Sequence, residues 1–147
     1  MKKKFILFIL MVLYFQYGYS KIDMKKYQEA RKNIVKSNPS IEESYEKLVN
    51  SDHIGYDFND IYLGIILKEK NSEELLRKLY NEANNNTGKI FALIGLYKLN
   101  RKEYENLKKK LSGDVMIDEG CYSLPQNAQE YLQNYENSIK DSIPQYK

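Results

Sequence analysis

The chain has 147 residues, 42% hydrophobic and 29% charged, with one His, one Cys and a formal charge of +3. The surplus charge is Lys2, Lys3 and Lys4, so a chain relieved of its leader is formally neutral and exerts no bulk pull on phosphate backbones or anionic lipid. Nucleic-acid binding is therefore not expected, and seven Gly with three Pro are too few for a fibrous or disordered chain.

The first elements read as an export signal over residues 1–20. Lys2 to Lys4 form a positive start, Phe5 to Phe15 an uncharged apolar run, and Gly18-Tyr19-Ser20 the small-x-small pattern before cleavage between Ser20 and Lys21. An uncleaved anchor is the alternative, but the run falls short of the ~20 residues that cross a bilayer, so no stable membrane insertion is expected after cleavage. The only Cys is far downstream, which argues against a lipoprotein. The expected destination is the periplasm or the medium. The dominance of Lys over Arg, with abundant Asn, Ile and Tyr, fits an AT-rich bacterial genome.

Residues 21–147 show helical periodicity throughout. Tyr27, Ala30 and Ile34 form the first stripe, ended by Asn38-Pro39 because the residue before Pro is pushed out of the α region. Ser40 with Glu43 reads as a capping box for a second helix bearing Ile41, Tyr45, Leu48 and Val49. Asp52 to Asn59 reads as a polar loop. The third helix, IYLGIILKEK, is apolar nearly all round, which predicts a central position.

Ser72 opens a fourth helix with Leu75, Leu76, Leu79, Tyr80 and Ala83 on one face. NNNTG breaks the chain before a fifth, KIFALIGLYKLN, again apolar all round. Gly95 at its middle predicts close approach of a neighbouring helix, at about 1 kcal/mol relative to Ala. A sixth helix runs from Lys102 to Leu111 and stops at Gly113. Asp114 to Pro125 breaks the period and reads as an ordered extended loop. A last helix carries Ala128, Tyr131, Leu132, Tyr135 and Ile139 inward, and Pro144 closes it.

The predicted fold is thus all-α, a single domain built as an irregular stack of short helical hairpins, about seven helices in number. The segment Thr87–Leu111 resembles the helix–turn–helix units of exported bacterial HEAT- or tetratricopeptide-like proteins, without the aromatic and Pro signature of a tetratricopeptide unit. It is also similar to small exported proteins of unknown function in which such a hairpin precedes a Gly-Cys pair like Gly120-Cys121. The resemblance implies a helical scaffold and no activity.

Chemical constellations are sparse. Asp52, His53, Asp57, Asn59 and Asp60 cluster in one loop, but Ile61, Tyr62 and Lys68 stand where a calcium loop needs an oxygen, a Gly and a Glu, and one His with one Cys cannot furnish a zinc site. No metal or other cofactor is expected. Cys121 is a candidate reactive thiol, and with His53 it forms a thiolate–imidazole pair only if the fold joins their loops. Burial as a small hydrophobe is the alternative.

The pairs Glu42/Glu43 and Glu73/Glu74 read as first-turn partners of the helix dipole, leaving Asp118/Glu119 without an assigned role. Lys108-Lys109-Lys110 reads as a solvated C-terminal turn. The many Tyr are either half-buried helix positions or interface residues.

The expectation is an exported, non-catalytic helical protein that binds another protein, identity unknown. Two alternatives stand beside it. One is a small envelope hydrolase or thiol-dependent enzyme using Cys121, or His53 with Asp57 and Asp60. The other is an immunity or inhibitor protein against an envelope-acting toxin.

Overall fold

A computed structural model describes residues 23–119 and 122–142. The expected signal peptide with Ser20 and Lys21, the Gly120-Cys121 pair and Pro144 lie outside the described residues. In chain order the described elements are α1 (Met24–Ser37), α2 (Ile41–Val49), β1 (His53–Ile54), α3 (Asn59–Ile66), α4 (Ser72–Glu82), α5 (Asn86–Leu99), α6 (Arg101–Lys108), β2 (Asp114–Glu119), β3 (Tyr122–Asn127) and α7 (Ala128–Ser142).

The helix boundaries follow local chemistry. The Asp23 carboxylate accepts the Lys25 and Lys26 backbone N–H groups at the start of α1. Asn38 ends that helix in the left-handed region, φ 48°, before Pro39. The Ser40 hydroxyl accepts the Glu43 N–H at 3.1 Å. Asn100 serves two helices: its backbone N–H closes α5, and its side-chain carbonyl accepts the Glu103 N–H that opens α6. Asn127 caps α7 through the N–H groups of Gln129 and Glu130.

The all-α expectation is corrected by a three-stranded sheet in the order β1-β2-β3. The segment read as an extended loop is an antiparallel hairpin in which Val115 faces Gln126 and Ile117 faces Leu124, and β1 joins it in parallel, His53 opposite Met116 and Ile54 opposite Ile117. Side chains alternate across the strands, so Ile54, Val115 and Ile117 turn to the core while His53 and Met116 share the other face. Pro125 is tolerated because β3 is an edge strand.

The core is centred on α5, where Ile90, Phe91, Ala92, Leu93, Ile94, Gly95 and Leu96 are all buried. Leu48 of α2, Ile66 of α3, Leu76 and Leu79 of α4, Tyr104 of α6 and Leu132 of α7 converge on it with no exposed surface. Gly95 sits at a close helix approach, as its place in the sequence predicts. A Cβ there would lie 2.7 Å from both methyl carbons of Leu76, so only Gly lets α4 cross this closely.

The third helix departs from expectation. It stops at Ile66, and only its Asn59–Tyr62–Leu63–Ile66 face is buried, leaving Ile61, Ile65 and Leu67 half-exposed. The sixth helix likewise ends early, at Lys108, leaving Lys109 and Lys110 in a turn.

Candidate functional site

The loop between α2 and α3 gathers the polar residues singled out from sequence. Its hub is the buried Asn59, whose amide donates to the Ser51 hydroxyl at 2.6 Å and to the Asp57 carboxylate. The Ser51 hydroxyl donates to the same Asp57 carboxylate at 3.0 Å. Burial pushes the Asp57 carboxyl above its ordinary range against these hydrogen bonds. The knot replaces what a longer strand would supply, fixing the turn between β1 and α3 with side-chain bonds.

His53 pairs with its neighbour. Its Nδ1 lies 2.7 Å from the Asp52 carboxylate, and that hydrogen bond, helped by the charges of Asp118 and Asp57, holds the imidazole above its usual pKa and Asp52 below its own. Gly55 follows in the parallel register, and a Cβ on it would meet the Asp118 Cβ at 2.5 Å. Asp118 in turn accepts the Ser123 hydroxyl at 2.6 Å across the hairpin.

Asp60 belongs to a different contact. Arg31 of α1 grips it with both terminal nitrogens, Nη1 to Oδ1 at 2.9 Å and Nη2 to Oδ2. The hydrogen bond from Arg31 holds the Asp60 carboxyl below its ordinary value, and the same bond raises Arg31. Beside this pair the Tyr27 ring stacks on Phe58 at 4.9 Å and meets Tyr56 edge-on at 5.6 Å. Phe58 adopts φ 61°, an uncommon left-handed setting for a bulky residue, which turns its ring toward α1.

His53, Asp57 and Asp60 are therefore near in space yet engaged separately, by Asp52, by Ser51 with Asn59, and by Arg31. Among the described residues no three His, Cys, Asp or Glu side chains converge as a metal set. Among the described residues no helix is long and apolar enough to cross a membrane.

The Arg31–Asp60 pair bridges an open cleft between α1 and α3. On one side a groove of about 270 Å³ is walled by Val35, Pro39, Ile61, Gly64 and Ile65, with Lys68 at its rim. On the other a depression of about 290 Å³ reaches Ile54, Asp57 and Phe91. A Cβ on Gly64 would meet nothing within 4 Å, so α1 does not close over this face of α3.

A second polar cluster lies where α7 meets α6. Glu136 is buried and accepts the Lys108 ammonium at 2.5 Å and the Tyr104 hydroxyl, with Arg101 at 3.8 Å from its other oxygen. Burial raises the Glu136 carboxyl, but the bonds from Lys108 and Tyr104 outweigh it and hold the group below its usual value. The Arg101 guanidinium lies over the Tyr97 ring at 3.8 Å.

Sequence reading missed Arg31 and Glu136, though both had a signal. Arg31 follows Tyr27 by four positions on the apolar stripe of α1, and Glu136 follows Ala128 and Leu132 at the same interval on α7; a charge on a core-facing stripe demands a partner.

The tyrosines of the core act mainly as helix ties. Tyr80 donates to the Leu107 carbonyl at 2.9 Å and Tyr45 to Glu82 at 2.9 Å. Tyr56 is among the more exposed.

No family model, curated protein or solved structure matches this chain.

Proposed function

We propose that the protein is an exported, non-catalytic helical module, an irregular stack of helical hairpins in plan, that binds another protein in the bacterial envelope or outside the cell. The observation that carries this reading is the cleft between α1 and α3. Ile61 and Ile65 belong to a helix apolar nearly all round, yet they stay outside the core and face a groove. An apolar face left open beside polar rims is the usual mark of a contact surface.

The charge of the rim selects the partner's chemistry. The charged side chains lining the groove are the Arg31–Asp60 pair and Lys68, and the exposed positions of α1 beyond it carry Lys25, Lys26, Lys32 and Lys36. An acidic helix with an apolar stripe meets both requirements, its stripe in the groove and its carboxylates toward Lys68. The separate engagement of His53, Asp57 and Asp60 supports a binding role over acid–base chemistry. Immunity against a toxin is the special case with one tight partner.

The test is photo-crosslinking from Val35 and Ile65 in cells secreting the full chain, with Gln133 on α7 as the control position. The expected result is one adduct, formed from the groove positions only, whose crosslinked peptide is acidic and helical. Equal labelling from Gln133, or full-length protein retained in the cytosol, would count against the proposal.

A further inference from the structure

Helix α1 differs from the other helices in how it is held. It has no buried residue, whereas α2 to α6 each bury at least two. Among the described residues the hydrogen bonds from α1 to another element run from Arg31 to Asp60 alone, and both side chains are substantially solvent-exposed, 40% and 58%. The other holds are the Tyr27 ring against Phe58 and Tyr56, and the half-buried Ile34 packed on the edge of the core. Exposed ion pairs contribute little and weaken with salt.

The joint to the rest of the chain is equally distinct. Asn38 is left-handed and exposed, Pro39 is buried, and Ser40 already caps α2. A buried Pro next to a left-handed residue makes a fixed pivot with one free arm.

From these observations we infer that α1 is a hinged strap, pivoting at Asn38-Pro39 and fastened by Arg31 to Asp60, which swings independently of the core and carries the Val35 wall of the groove away from Ile61 and Ile65 of α3. Opening breaks two ring contacts, one bidentate pair and the Ile34 contact, and removes no fully buried side chain from the core. The strap sets the width of the groove to which the protein-binding reading assigns the partner, and only that purpose rests on the reading; the hinge rests on how α1 is held.

Hydrogen exchange of the full chain, followed by mass spectrometry, tests it. Amides of α1 are expected to exchange at least about a hundredfold faster than those of α5, as for a unit opening well below the global free energy. Asp60→Asn, or a rise to half-molar salt, is expected to speed α1 about two- to fivefold while leaving α5 unchanged. The reversed pair, Arg31→Asp with Asp60→Arg, is expected to restore the slower rate, which a change in mere helix propensity would not do. Exchange of α1 at the rate of α5, or equal acceleration of both by Asp60→Asn, would overturn the inference. Independent opening of α1 with no adduct from the groove would leave the hinge intact and remove the binding reading instead.

Discussion

Replacing Glu136 by Leu and Lys108 by Met, singly and together, is expected to expose the energetics that dock α7. The Glu136 side chain is 6% exposed and that of Lys108 16%, so the pair lies mostly out of water. Leu at position 136 strands the Lys108 ammonium and the Tyr104 hydroxyl in apolar surroundings. Breaking one side of a buried pair costs about 3–5 kcal/mol, and the lower end applies here because Lys108 retains a path to solvent.

Met at position 108 leaves Glu136 with Tyr104 and the more distant Arg101, and is expected to cost about 2 kcal/mol. The double variant puts two apolar side chains face to face and is expected to cost less than Glu136→Leu alone, a coupling of about 2–3 kcal/mol. Urea unfolding followed by circular dichroism at pH 7 measures all three. Costs that simply add, or single variants within about 0.5 kcal/mol of the parent, would refute the network as an energetic unit.

The pH dependence follows from the same site. A carboxyl held below its unfolded value contributes stability that is complete above about pH 4.3 and is lost as pH falls through the folded value. The coupling is therefore expected to fade in acid.

Gly95→Ala gains about 1 kcal/mol of helix propensity but forces the fully buried Leu76 aside, so a net loss near 1 kcal/mol is expected in thermal unfolding. Gly55→Ala is expected to detach β1 from β2, seen as faster exchange at Met116 and Ile117, with partial recovery when Asp118→Gly clears the space. Proton NMR of His53 is expected to give a midpoint above the ordinary ~6.5, returning toward it in Asp52→Asn. The sign is that of a raised group: the Asp52–His53 contribution is full below the unfolded pKa and disappears as pH rises through the folded one.

Much of the helical layer was legible because its signals are local. Ser40, Asn38-Pro39 and Asn127 mark helix ends by chemistry within a few residues, and the all-apolar fifth helix sits at the centre as its composition demands. The third helix misled because apolar residues all round imply burial only if a neighbour covers each face, and α1 stops short of Ile61 and Ile65.

The sheet was hidden for a different reason. Its first strand is two residues long, and its partner lies beyond four intervening helices, so no local period reveals it. Within the candidate site, the acidic residues and His53 were visible as a cluster, but their division among separate partners depends on Ser51, Asn59 and Arg31, whose roles appear only once the loop is folded.

The parallel pairing of His53-Ile54 with Met116-Ile117 has a kinetic consequence. The two strands cannot meet until the chain between them has condensed, since closing so long a segment early would sacrifice entropy before any contact repaid it. The helices from α3 to α6 then form the nucleus, and the ladder is its late seal. On the reverse path that seal parts before the helices around Leu93 separate.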